Sequence, residues 1–160
     1  MSQLNSISSS APGHSYDSLF GRFLNEDVTK VTIEDPYIRA HHQILNLLRL
    51  CELLVKKCPS LKAVAVVTSQ SPDAHHEQVS KFGEIAKDLS VRNIEFNVSY
   101  SETLHDREIR LSNGWTIKIG RGLDIYKAPP SKFSLGCFDL DLRRCHETIV
   151  DIFHKSNVIK

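Results

Sequence analysis

Between residues 28 and 100 the chain alternates twice between short β-branched runs and longer amphipathic ones, and that alternation narrows the possible folds. Val28 to Ile33 (VTKVTI) alternates apolar and polar residues and is rich in β-branched types, the signature of a strand. Arg39 to Lys57 repeats Ile44, Leu47, Leu48, Cys51, Leu54 and Val55 at helical spacing and ends at Cys58-Pro59. Lys62 to Thr68 (KAVAVVT) is almost continuously apolar, as suits a strand buried on both faces of a parallel sheet. Asp73 to Leu89 predicts a second helix with Val79, Phe82, Ile85, Ala86 and Leu89 buried, and Ile94 to Tyr100 a third strand. The order predicts an α/β domain with a mixed, mostly parallel sheet flanked by helices.

The stretch His105 to Tyr126, HDREIRLSNGWTIKIGRGLDIY, adds a β-hairpin over residues 105–119. Asn113-Gly114 readily takes the positive φ angles of a tight turn, and Trp115 to Gly120 alternates after it. Arg107, Lys118 and Arg121 stand near His105 in this run, a composition suited to holding an anion. The same residues also suit a solvated hairpin with ordinary surface charges. Asp35, before Pro36 at the end of the first strand, reads as a turn or helix-capping residue.

At 160 residues the chain predicts one domain with a sizeable core. Residues 1–14 are Ser-rich and read as a flexible tail or linker stub, with the domain over 15–160. Ser15 is placed to cap a short helix over Tyr16 to Asn25. Ser131 to Asp141 reads as a loop running into a short strand, with Phe133, Leu135, Phe138 and Leu140 packing inward. Alternation in Arg143 to His154 favours a strand over a short helix.

The net charge of +1 gives no global pull towards nucleic acid or membrane, so any electrostatic targeting must come from a local patch. No apolar run approaches the length of a membrane-spanning helix, and the first residues lack the pattern of a secretory signal. The expectation is an intracellular protein. Cys51, Cys58, Cys137 and Cys145 form no Cys-x-x-Cys pair, which leaves a zinc site without support and predicts free or buried thiols. His41-His42 and His75-His76 lack a third ligand at metal spacing. No Gly-rich phosphate loop follows the first strand, and no serine sits in a nucleophile elbow. A histidine beside arginines is the remaining chemistry, and such a group either attacks phosphorus or binds phosphate.

Three segments carry a resemblance: IEDPYIR (Ile33 to Arg39), HDREIRLSNGWTIKIGRGLDIYKAP (His105 to Pro129) and FSLGCFDLDLRRCHETIVDIFHK (Phe133 to Lys155). Together they resemble the C-terminal phospholipase D-like domain of the MIT-domain-containing family, over about Tyr16 to Lys155. The resemblance implies a phospholipase D-like fold and a homodimer that binds acidic, phosphoinositide-containing membranes without catalysis. It implies no cofactor and no nucleic-acid partner. It further implies action in ESCRT-III-linked abscission, with a cytoplasmic location, peripheral on membranes at late endosome and midbody. In that family an N-terminal MIT module binds ESCRT-III subunits. The expectation here is a chain without that module, its Ser-rich start corresponding to the linker.

Phospholipase D enzymes carry His-x-Lys followed, after four residues, by Asp. On that pattern His105 keeps the nucleophile, Arg107 replaces the lysine, and Ser112 stands where the aspartate should be. A guanidinium still grips phosphate, as a bidentate fork. The implied binding residues are His105, Arg107, Lys118 and Arg121, with Arg39 and Lys127 as weaker candidates. Two other functions stay open: a phosphodiesterase or nuclease using His105 in a homodimer, and a protein-interaction module using exposed Phe133 or Tyr126.

Overall fold

The computed structural model describes residues 3–157. The expected alternation forms its centre. Strand β2 (Lys30–Glu34), helix α2 (His41–Lys57), strand β3 (Ala63–Thr68), helix α3 (His75–Ser90) and strand β4 (Glu95–Tyr100) follow one another. β2, β3 and β4 pair in parallel, with Val31 opposite Val64 and Val64 opposite Phe96. Both crossovers step the same way across the sheet, so α2 and α3 lie on one face.

The hairpin extends the sheet on the other side. Strand β5 (Glu108–Leu111) runs antiparallel to β2, and β6 (Trp115–Ile119) antiparallel to β5. Its turn differs from the expected pair of positive φ angles: only Gly114, at φ +102°, adopts one. The Asn113 amide is used instead, donating to Phe23 O and accepting from Trp115 N. Residues 143–154 resolve into strand β7 (Thr148–His154), antiparallel to β6.

Two expectations are corrected. The start of the chain is not wholly a tail: Gln3–Ile7 forms strand β1, antiparallel to β7, with Ile7 buried. The folded unit therefore begins before residue 15. The sheet order is β1-β7-β6-β5-β2-β3-β4, mixed as expected, but parallel pairing is confined to β2, β3 and β4. Strands joined by short turns pair antiparallel, and everything after β4 lacks a crossover helix.

Helix packing also shifts from the expected stripes. In α2 Leu50 is fully buried while Leu48 is exposed. In α3 the buried position is Gln78 rather than Val79. Gln78 sits there because its amide is satisfied, Nε2 donating to Ile38 O and Ser69 O and Oε1 accepting from Ser71 N. The short helix α1 (Tyr16–Phe20) passes into a 3-10 turn at Gly21–Phe23, and Ser15 Oγ caps it by accepting from Ser18 N. The core lies between the helices and one sheet face, with Val31, Ile33, Leu47, Leu54, Ile117 and Ile152 fully buried.

Residues 128–143 depart furthest from expectation. They form successive turns without a strand, joined to the body by the bridge between Tyr126 and Cys145. Leu140 packs inward, but Phe133, Leu135 and Phe138 are almost wholly exposed.

Candidate functional site

The C-terminal end of β2 lies level with the start of β5 and the end of β6, because β5 pairs antiparallel with β2 and β6 antiparallel with β5. Loops beyond strand ends are where α/β folds build sites. Asp35 lies at the centre of this corner and is 1% exposed. Its Oδ1 accepts from Tyr37 N and its Oδ2 from Leu123 N, both at 2.9 Å. This is the turn role expected of Asp35, with a second task of tying the Ile119–Leu123 segment to β2. Burial pushes its pKa up, opposed by the two backbone N–H bonds and the Arg107 charge. Gly122, at φ +69°, leaves room for the carboxylate.

Arg107 extends over this centre. Its Nη1 donates to Gly120 O at 2.9 Å, and its guanidinium lies 4.7 Å from the centroid of Tyr37. Arg39 approaches the same ring, at 5.2 Å. Two guanidiniums thus approach one ring that is 39% exposed. Each such contact stabilises by about 0.5–1 kcal/mol at an exposed position. Sequence alone does not single out Tyr37, since its role depends on β5 folding beside β2.

His105 rides on the loop that crosses from β4 to β5, exposed two residues before Arg107. Among the described residues nothing hydrogen-bonds its side chain. Arg121 borders the corner, its backbone N bonded to Thr148 Oγ1 and its Nε to Asp124 O. Asp124 also accepts from Gln43 Nε2, and Gln43 Oε1 accepts from the backbone N–H groups of Arg39 and Ala40. The start of α2 is thereby locked to the same loop. His146 lies nearby with its pKa lowered, first by burial and then by the Arg121 and Lys127 charges.

Two candidates stand elsewhere. Lys118 points to the opposite sheet face, between cross-strand Glu108 and Asp151, with its Nζ 5.9 Å from the Phe153 ring. Alternation along β6 sends it there, since Ile117 and Ile119 take the buried face. Lys127 donates to Ser9 Oγ and Ser10 Oγ at 3.2 and 2.9 Å, tying down the N-terminal segment.

Ser112 lies at the far end of β5, about 17 Å from Arg107 by strand rise. Its Oγ accepts from Thr29 N and Lys30 N at 2.8 and 3.1 Å, fixing the entry to β2. Among the described residues no group of three His, Cys, Asp or Glu side chains is placed to hold a metal ion. A groove of about 880 Å³ between α2 and α3 includes none of the candidate anion ligands.

The mixed sheet with helices packed on one face is the fold of a phospholipase D-like domain, and a histidine-arginine pair stands at the β5 entry. The family model described as "Phospholipase D-like domain at C-terminus of MIT" matches residues 13–154, and the chain belongs to that family. It is 50% identical over 155 residues to MIT domain-containing protein 1 of Mus musculus, covering 96% of this chain and 62% of that relative. The chain thus spans about three-fifths of the length of the curated relative it matches.

Proposed function

We propose that the domain is a non-catalytic binder of acidic, phosphoinositide-containing membranes, working as a homodimer in ESCRT-III-linked abscission with an MIT module supplying the ESCRT-III contact. The observation that carries the reading is the pair of guanidiniums, Arg39 and Arg107, lying 5.2 and 4.7 Å from the ring centroid of the half-exposed Tyr37. Two forks at one exposed corner suit a phosphate, with Arg121 and His105 at the border. The binding residues are therefore Arg39, Arg107, Arg121 and His105, while Lys118 and Lys127 have other partners. No helix among the described residues is long and apolar enough to cross a membrane.

Two features weigh against turnover. Arg107 commits one nitrogen to Gly120 O, and Ser112 is occupied in fixing β2. A phosphodiesterase would also need a second histidine for the leaving group.

Co-sedimentation with vesicles of graded phosphoinositide content tests the reading. Each cation near an anionic surface contributes about 1 kcal/mol, so Arg39→Gln with Arg107→Gln is expected to weaken binding at least about thirtyfold at low salt, the effect of two cations from one protomer. Binding should also fall steeply as salt rises. Unchanged binding by the folded double variant would remove the corner as the lipid site.

A further inference from the structure

Three large apolar side chains stand free on one loop: Phe133 is 99% exposed, Phe138 91% and Leu135 87%. Leu142 follows at 51%. Scattered apolar residues on a surface need no explanation, but this group comes from a single short segment. The loop backbone beneath them is firmly built. Arg143 is buried and its guanidinium donates to Gly136 O, Cys137 O and Lys127 O. Ser131 and Ser134 close the first turn through each other's oxygens, and Cys137 N donates to Ser134 O. Gly136, at φ +89°, lets the chain pass Leu142 O closely. The scaffold is fixed while its largest side chains are turned to solvent.

We propose that Phe133, Leu135 and Phe138 form a wedge that enters the interfacial and upper acyl region of a lipid bilayer. The proposal rests on the membrane reading above and deepens it, separating a hydrophobic contact from the cationic one. Exposure this complete means the three side chains scarcely pack on one another, so each projects alone. A folded partner would need a separate pocket for each, whereas fluid acyl chains accept isolated prongs.

The charges agree with a bilayer that carries anionic headgroups. Lys132 is exposed next to Phe133, and Arg144 is exposed in the stem at the base of the loop. Asp141 is turned away, accepting from Ser15 N and Ser18 Oγ. Among the described residues of the segment 128–143, Asp139 is the one exposed carboxylate. The stem of this loop also begins where the cationic corner ends. Leu123 N is held by Asp35, and Ile125 to Lys127 pairs with Arg144 to His146 before the tip. Headgroup contact and insertion would thus be coupled through one continuous segment.

Phe133→Trp and Phe138→Trp provide the direct test, with vesicles of phosphatidylcholine and phosphoinositide carrying brominated acyl chains. The native chain has one tryptophan, the half-buried Trp115, and serves as the background control. The expected result is a blue shift and quenching at 133 and 138 that the native chain does not show. Phe133→Ser with Phe138→Ser is expected to weaken vesicle binding at least about tenfold and leave the urea midpoint unchanged, because neither ring contributes to the fold. Sedimentation of the variants with vesicles but without quenching would overturn insertion and leave the acidic-membrane reading standing. Failure of the native chain to sediment at low salt would overturn both. Loss of self-association in the double serine variant, with no quenching, would reassign the loop to contact with a second copy and overturn the proposal.

Discussion

Replacing Gly122 by alanine measures how firmly the buried carboxylate organises the cationic corner. At φ +69° an alanine carries a backbone penalty of about 1–2 kcal/mol. A Cβ there would also lie 2.6 Å from Asp35 Cγ and 2.8 Å from its Oδ1, with Oδ2 closer still. The carboxylate must move, and it holds Tyr37 N and Leu123 N. Each buried donor left without a partner costs about 1–3 kcal/mol. The total expected is about 3–8 kcal/mol. With a urea slope of about 2 kcal/mol/M, the midpoint falls by about 1.5–4 M. Gly13→Ala is the control. That residue also has a positive φ, +89°, but a Cβ would meet nothing within 4 Å, so only the backbone penalty applies. Asp35→Ala combined with Gly122→Ala should be much less destabilised than the sum of the two, because the first change removes what the second strikes. If Gly122→Ala costs no more than Gly13→Ala, or if the pair is additive, the carboxylate is not the tie between β2 and the Ile119–Leu123 turn.

Two further outcomes are expected. Asp141 has its pKa lowered from 3.8, chiefly by the Ser18 hydroxyl hydrogen bond and then by Ser15. A folded-state value below the unfolded one stabilises above about pH 4 and is lost as pH falls through the folded value, so Asp141→Asn should flatten the acid limb of thermal stability. Asp35, raised by burial, contributes the opposite slope over the range above 3.8, and the difference between native and Asp141→Asn isolates Asp141; identical acid limbs would refute the assignment. Burial pushes the Cys51 thiol up to about 12, whereas Cys137 is half-exposed in the projecting loop. Cys137 should react with a disulfide reagent at about pH 8 at least tenfold faster than Cys51, read by mass spectrometry of the labelled chain, and labelling of Cys51 in the folded state would contradict its burial.

The central strands and helices were legible because their apolar periods are long and clean. β1 was not, because QLNSI offers one buried residue, Ile7, and an edge strand pairs through its backbone. Loop 128–143 misled in the opposite direction. Phe133, Leu135 and Phe138 have the composition of core, and composition does not report which way a side chain turns. At the site, Arg39, Arg107, Arg121 and His105 were legible as cations and a histidine in suitable segments. Tyr37 was not, because it meets Arg107 only through the pairing of β5 with β2. Lys118 could have been set aside from sequence: in the alternation of Trp115 to Ile119 it takes the opposite face from Ile117 and Ile119.

The departures from the phospholipase D motif at positions 107 and 112 differ in consequence. Arg107 keeps a cation where phospholipase D enzymes have lysine, but a planar fork fixed by Gly120 O and stacked on Tyr37 holds its charge in one place. Under the membrane-binding proposal, that geometry suits retaining a phosphate over following it through a reaction. Ser112 accepts two backbone N–H bonds at the far end of β5, so an aspartate restored there would meet the Thr29–Lys30 backbone and not His105. Arg107→Lys combined with Ser112→Asp would therefore restore the motif's residue types without bringing the aspartate to His105, and that variant is expected to show no turnover of a phosphodiester. On the proposed reading the cationic corner and the apolar loop act without turnover, because holding a phosphate requires charge and shape but no proton transfer.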